Sequence, residues 1–207
     1  MSSTISTQQP ADPYKEKNLD NPPLSEKVTD LVDFVDKHKF CMMTTRDQST
    51  GLLVSRCMAL AAREPADATA GLDMLFHSNA ESGKTSDLEG DAHVNLAFVT
   101  PAGEWASVSG LASVESDREV VRRHYSPGLK AWIGDLGDGT HDGGPDDPRI
   151  VVIRVKTQTA QYAVSRKGVV GSSVEFAKAM AKGDAPAVNK LRQISEEEVQ
   201  QWRQGQS

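Results

Sequence analysis

Phe76-His77-Ser78-Asn79-Ala80-Glu81-Ser82-Gly83-Lys84-Thr85 is the stretch on which the fold turns. A short apolar run, Leu72 to Phe76, leads into small, hydroxyl-bearing and basic residues, and a helix-like segment follows from Thr85 to Glu89. A strand that delivers free backbone N–H groups to a helix start, beside a lysine, is suited to bind a phosphate. The positive end of the helix dipole and the lysine act on the same anion. Three readings follow. One is a nucleoside triphosphate loop, G-x-x-x-x-G-K-[ST], with Gly83, Lys84 and Thr85 in place but Ser78 where the first glycine belongs. Another is the phosphate end of a flavin mononucleotide (FMN) site. The plainest is a strand-to-helix connection with a solvated lysine.

The surrounding pattern bears on that choice. Leu24, Val28, Leu31, Val32 and Val35 fall on one helical face, so Leu24 to His38 is expected to be helical. Lys39 to Thr45 and Leu52 to Ala62 have strand character, and Arg46-Asp47-Gln48-Ser49-Thr50-Gly51 between them is turn chemistry. Pairing Arg46 with Leu52 would set Cys41 opposite Cys57. Leu72 to Ser78 is a third strand, Ser82 to Glu89 a short helix, and Val94 to Thr100 with Trp105 to Ser113 a second hairpin around Pro101-Ala102-Gly103. Asp117 to Tyr125 is a capped helix, Pro127 to Ile133 a turn or short helix, and Arg149 to Val164 one long alternating strand. Two weaker helices are expected at Ser173 to Lys182 and Ser195 to Arg203.

Hairpin-linked strands imply an antiparallel sheet, and about six of them with a few helices imply a small barrel flanked by helices. Triphosphate loops belong to parallel sheets with alternating strands and helices, and that alternation is missing here.

Composition removes further classes. The 207 residues carry a net charge of -6, against non-specific nucleic-acid binding. No apolar run approaches the roughly 20 residues needed to span a bilayer. Residues 1–23 are polar with four prolines, so a disordered leader rather than a secretory signal is expected. Cys41 and Cys57 form no disulfide framework, and a cytoplasmic setting follows by default. The five histidines are scattered, so no metal site is expected. The aspartate- and glycine-rich segment Asp135 to Asp147 invites a calcium reading, but its spacing does not match a calcium loop, and a glycine-rich lid or interface loop fits it better. Trp105 suits strand packing, while packing and a functional role both fit Trp132. Cys57 has the redox and the inert-thiol readings open. Arg56 lies in an apolar strand, where its charge is costly unless paired, and a ligand phosphate would pair it. No acid–base dyad or nucleophile triad stands out.

Five segments taken together resemble the pyridoxamine-phosphate-oxidase-like flavin proteins. They are Ser55-Arg56-Cys57-Met58-Ala59, the stretch Phe76 to Lys84, Asp91-Ala92-His93-Val94-Asn95-Leu96-Ala97-Phe98, Trp105-Ala106-Ser107-Val108-Ser109-Gly110 and Lys130-Ala131-Trp132. The likeness is greatest to the general stress protein branch, and Trp132 to Gly139 with Gln201-Trp202-Arg203 resembles its fungal blue-light-inducible members. The resemblance covers roughly residues 24 to 203. It implies a mainly β chain with flanking helices (α+β), a six-stranded antiparallel split β-barrel of the FMN-binding type, over residues 24–165, with a C-terminal helical extension over 166–207 packed on it. It also implies a homodimer with FMN at the interface. By position, Arg56 and Lys84 would contact the flavin phosphate, Ser78 and Ser82 would give it hydroxyls, and His77 with the backbone of Cys57 and Met58 would border the ring. Trp132 would reach the flavin from the second subunit.

The departures narrow the function. Pyridoxamine-phosphate oxidases carry a lysine where Ala61 stands and a substrate-holding arginine where Pro127 stands, and the second basic residue of their flavin-phosphate pair is Gly83 here. Their C-terminal tryptophan, arginine and histidine substrate motif is absent. The expectation is a flavin-dependent oxidoreductase with an unknown small substrate, reduced by a nicotinamide cofactor, and not a pyridoxine phosphate oxidase. The alternative is a non-catalytic flavin-binding stress-response module.

Overall fold

The computed structural model describes residues 12–64, 71–166, 175 and 179–205. Seven strands are present among them: β1 (Phe40–Arg46), β2 (Leu53–Glu64), β3 (Asp73–Asn79), β4 (His93–Val99), β5 (Trp105–Glu115), β6 (Ile150–Ser165) and β7 (Asn189–Ile194). They run in the order β3-β2-β1-β4-β5-β6-β7, and β3 also pairs with β6. Every pairing between these strands is antiparallel, and the β3–β6 pairing closes β1 to β6 into the six-stranded barrel that the hairpin-linked strands and the resemblance implied.

Closure depends on the length of β6. Its first half, Ile150 to Val155, pairs with β3, and its last six residues pair with β7. The long β5–β6 pairing bends at a register shift between Ser109 and Gly110. A Cβ on Gly110 would lie 2.4 Å from the Lys156 carbonyl oxygen, so only glycine fits that bend. Alternate residues of β6 feed two cores. Ile153 and Val155 point into the barrel with Met43, Phe76, Leu96 and Tyr162. Ile150 and Val152 point outward beneath α4 (Arg118–His124) and α5 (Leu129–Ile133), joining Leu75 and Val121. The apolar stripe of α2 (Leu24–His38), Val28, Leu31, Val32 and Val35, packs into the barrel cluster.

Three expectations require correction. Arg46 pairs with Leu53 rather than Leu52, so Cys41 faces Met58 and Cys57 faces Met42. The turn is one residue longer than expected because Asp47 organises it: Oδ1 accepts from the backbone N–H and hydroxyl of both Ser49 and Thr50, and the Asp47 N–H donates to the Leu52 carbonyl at 2.8 Å. That slip puts Cys41 in the core and leaves Cys57 exposed on the outer face. Burial, reinforced by Cys57, pushes the Cys41 thiol up to about 12.

The second correction concerns the expected leader. Pro13–Asn18 forms a helix, α1, capped by Asp12. Asn18 is fully buried and bonds Tyr14, Pro186 and Asn189, all at 2.8 Å. Residues 1–11 lie outside the described residues. The third is β7, which the expected C-terminal extension of helices did not include; of the expected Ser173 to Lys182 helix, residues 175 and 179–182 are helical and the other five lie outside the described residues. The final helix, α6 (Glu196–Gln204), follows β7 with a capping box between Ser195 and Glu198.

Candidate phosphate and flavin site

The chain leaves β3 at Asn79 and enters α3 (Gly83–Gly90) through a tight turn. The Asn79 carbonyl accepts from Ser82 N–H and from the Thr85 hydroxyl, both at 3.1 Å, and its side chain accepts from Glu81 N–H at 2.8 Å. Ser82 occupies the N-cap with extended backbone, yet its hydroxyl makes no capping bond. Instead it lies 3.2 Å from Ser78 Oγ, 3.1 Å from Thr85 Oγ1 and 3.1 Å from Lys84 Nζ. The result is one corner holding three hydroxyls, an ammonium and the positive end of a helix.

Arg56 completes the corner. It is placed on the inward side of β2, opposite Met43 and two residues before core Met58. At that end of the barrel Thr45 and Asp87 receive it. Its Nη1 donates to Thr45 Oγ1 at 2.9 Å and to Asp87 Oδ2 at 3.0 Å, and the Thr45 hydroxyl donates to the same Asp87 oxygen at 2.8 Å. The Asp87 side chain is 5% exposed and that of Arg56 32%, so the pair has a closed side and an open one. Arg56 Nη2 turns towards Gly83, 3.5 Å from where a Cβ would stand. Burial, and then the nearby Arg56 charge, hold the Lys84 ammonium below its ordinary range. Arg56 pairs with Asp87, whereas Lys84 bonds the Ser82 hydroxyl and has no ion pair among the described residues, so the corner keeps unmatched positive charge, which is what an anion site requires.

The structure therefore brings together Arg56, Ser78, Ser82 and Lys84, and adds Asp87 and Thr45, which sequence reasoning missed. An acid three residues after Lys84 was visible, but its pairing with Arg56 spans 31 positions and depends on the fold.

The other predicted residues lie elsewhere. Met58 is buried, and its side chain belongs to the barrel core. Cys57 lies exposed on the outer face beside Met42 and Ala97, with Phe40, Leu53 and Val99 more than 60% exposed around it. His77 points away from the core, towards α4. Its Nε2 is buried without a hydrogen-bond partner, and burial followed by the nearby His124 lowers its pKa. His124 is also lowered by burial and then by Arg123, against an upward pull from Glu115. Its Nε2 is 3.2 Å from a Glu64 carboxylate oxygen, off the line of a hydrogen bond. Glu64 and Glu115 both pair with Arg154.

Trp132 is 87% exposed on α5. The segment after it is tied down by Arg149, which donates to the carbonyls of Ile133, Gly134 and His141 and to both Asp147 oxygens. The aspartates in this segment cap turns: Asp135, Asp138, Asp142 and Asp147 each accept backbone N–H groups within it. That use accounts for their density. Among the described residues no group of three or more His, Cys, Asp or Glu is placed to hold a metal, and no helix is long and apolar enough to cross a membrane.

Residues 26–187 match the family described as pyridoxamine 5'-phosphate oxidase like. Protein bli-3 of Neurospora crassa is 58% identical over 196 residues, covering 94% of this chain and 92% of that protein. Among solved structures, one described as a general stress protein 26 from Jannaschia sp. CCS1 superposes with a TM-score of 0.58 at 17% identity, over 83% of this chain and 99% of the other. The general stress FMN/FAD binding protein from Xanthomonas citri gives 0.53 at 20% identity, over 67% and 88%. These two likenesses establish the barrel fold.

Proposed function

The chain belongs to the pyridoxamine 5'-phosphate oxidase like family, and from that premise we propose that it binds flavin mononucleotide and carries out a flavin-dependent redox step as a homodimer. The observation that carries the reading is the convergence of Arg56, Ser78, Ser82 and Lys84 at the start of α3. A phosphate monoester needs cations and N–H or O–H donors, and this corner offers both with excess positive charge. The flavin ring needs a flat apolar wall. The outer face of β1, β2 and β4, with the backbone of Cys57 and Met58, supplies one. His77 lies on the same outward side of the sheet, towards α4.

The homodimer is supported by the exposed Phe40, Met42, Leu53 and Val99 on that face, which a single chain leaves open to water. Trp132 of a second copy would then approach the ring. A nicotinamide cofactor is the electron donor in this reading and a small molecule the acceptor. The bound flavin supplies the electron-transfer chemistry, and this chain's residues hold its phosphate and wall its ring. The free thiols suit a reducing, cytoplasmic setting. Ala61 and Pro127, where substrate-holding cations would stand, separate the chain from pyridoxine phosphate oxidation. The same two residues favour the second reading, a non-catalytic flavin-binding stress-response module.

The test is a visible spectrum of the purified protein with mass analysis of what denaturation releases. FMN at near one per chain supports the site; a colourless protein that takes up no added flavin overturns it. Anaerobic bleaching by reduced nicotinamide cofactor, reversed by an acceptor, separates the enzyme from the module. Val99→Glu, on the outer face, is expected to convert a dimer to monomer by light scattering; a wild-type monomer at working concentration removes the dimer from the proposal.

A further inference from the structure

The loop after α5 holds an acid–base pair that no local pattern in the sequence revealed. Asp138 Oδ2 and His141 Nδ1 are 2.6 Å apart, and Asp138 Oδ1 accepts the backbone N–H groups of Thr140 at 2.9 Å and His141 at 2.7 Å. Gly137 and Gly139, at φ 74° and 77°, give the chain the tight turn that brings carboxylate and ring together. The His141 N–H first, then its ring and the Thr140 N–H, hold the Asp138 carboxyl well below the usual carboxylate range. An ionised carboxylate only accepts, so Nδ1 carries a proton and Nε2 is the atom left to exchange one. Nε2 has no hydrogen-bond partner among the described residues, and the His141 side chain is 34% exposed.

Resting on the homodimeric flavin-enzyme reading above, we propose that His141, oriented by Asp138, is the proton donor at the flavin site of the second copy, and that the substrate is a small molecule with a conjugated carbonyl. The substrate gains a hydride from the reduced flavin at carbon and a proton from the His141 imidazolium at oxygen. Two electrons and two hydrogens are added, the flavin is left oxidised, and the neutral imidazole recovers its proton from water.

Anchoring supports this role. Arg149 Nη2 donates to the Gly134 carbonyl at 2.7 Å and to the His141 carbonyl at 3.1 Å, and Leu136 N–H donates to that same His141 oxygen at 2.8 Å. Arg149 is itself fixed on Asp147, their side chains 9% and 0% exposed. One buried guanidinium therefore pins both the end of α5 and the residue that carries the ring, as a group that must meet a substrate requires. The root of the loop also touches the phosphate turn, where Ala80 N–H donates to the Arg149 carbonyl at 2.7 Å.

Direction supports it too. Trp132 and Leu136, 87% and 65% exposed, project from this pinned unit, while Phe40, Met42, Leu53 and Val99 lie open on the outer sheet face. A two-fold pair of copies can cover each apolar set with the other. Whatever brings Trp132 to the ring of the second copy brings His141 with it. The pair Asp91–His93 lacks this setting: its ring is 76% exposed at a strand start, and Arg46 holds the same carboxylate. The substrate class follows from the chemistry of the pair. An imidazolium protonates an oxygen that turns basic as electrons arrive, and a conjugated carbonyl is an uncharged group that behaves in this way.

Proton–nitrogen correlation spectra of histidine-labelled protein read the ring directly, with its signals assigned by their loss in His141→Gln. The Nδ1–H tautomer is expected without flavin, a shift of the His141 signals on loading with FMN, and a move towards the Nε2–H tautomer in Asp138→Asn. Photoreduced holoprotein is then mixed anaerobically with cyclohexenone or menadione, and reoxidation is followed per bound flavin. The wild-type rate is expected to fall as pH rises through the histidine range, about 6.5. His141→Gln should be slower by on the order of 100-fold and lose that pH limb, and Asp138→Asn should be slower by about tenfold or more. Hybrid dimers of a His141→Gln chain with an Arg56→Ala, Lys84→Ala chain should regain the wild-type rate per bound flavin, because the intact ring then serves the other chain's flavin. FMN binding that leaves the His141 signals unmoved, no reaction with either carbonyl, or hybrids that stay at the His141→Gln rate overturns the proposal and leaves flavin binding intact. Failure of FMN to bind removes the flavin reading itself, and a holoprotein that is monomeric by light scattering removes the dimer and this proposal with it.

Discussion

Arg192 and Arg56 both reach inward from strands, and the structure treats them in opposite ways. The Arg192 side chain is 1% exposed, and all three of its nitrogens are engaged: Asp20 at 2.8 Å, Glu26 at 2.6 Å and Asp30 at 2.7 Å surround it. Those acids come from the N-terminal segment and α2, so β7, the chain start and the barrel cap are tied at one point. The Arg56 side chain is 32% exposed and spends one nitrogen on Thr45 and Asp87. A guanidinium has five N–H donors, and those not used in the fold are the ones a ligand can take. A saturated arginine is a clamp, whereas a half-used one beside a second cation is the receptor proposed above.

Substitution should separate the two roles. Arg192→Met leaves three carboxylates without their common partner. Breaking a buried pair costs about 3–5 kcal/mol, and the partial exposure of the acids puts this one at the low end. A fall of that size in the unfolding free energy from urea denaturation is expected, with flavin affinity of the folded fraction unchanged; a parallel loss of flavin affinity would erase the distinction between clamp and receptor. Lys84→Ala tests the receptor. Flavin affinity is expected to fall by about 1.5–3 kcal/mol, the contribution of a charged hydrogen bond. Stability without flavin should hold or rise slightly, because Lys84 is desolvated and repelled by Arg56. Destabilisation of the flavin-free protein together with unchanged flavin affinity would make Lys84 structural.

The same contrast explains what could be read from the sequence. The barrel was legible because its strands alternate and its turns carry Asp, Gly and Pro at the joints. The corner proposed as the receptor was legible as a candidate because Ser82-Gly83-Lys84 follows an apolar run, a purely local pattern, and because Arg56 interrupts an apolar strand. The clamp was not. In β7, Asn189-Lys190-Leu191-Arg192-Gln193-Ile194, a charged residue takes an inward position, so the period of two is hidden. Its carboxylate partners lie more than 160 positions away. The register slip at Asp47 and the Asp87 contact to Arg56 were lost for a related reason, since each depends on geometry that no local window contains. His77 was assigned to the flavin by position, and only the packing of α4 shows it paired electrostatically with His124.

That histidine pair offers the smallest effect and a third case, buried nitrogens with no aligned partner. Both folded pKa values lie below the ordinary histidine value of about 6.5, chiefly through burial. Below about 6.5 the unfolded chain therefore takes up protons that the folded chain resists, and stability must fall as pH falls through that window, recovering fully above it. Asp147, held at about 2 first by its hydrogen bond from Arg149, stays ionised throughout and does not confuse the signal. Urea midpoints of flavin-free protein are expected to drop between neutral and mildly acid pH, and His77→Gln with His124→Gln should flatten that slope. If the double variant tracks the wild type, the two rings find protons or partners in solution, and the outer layer under α4 is looser than the clamp at Arg192. If it flattens, the layer excludes charge as the barrel core does, and the receptor corner is where this chain holds positive charge open to a ligand.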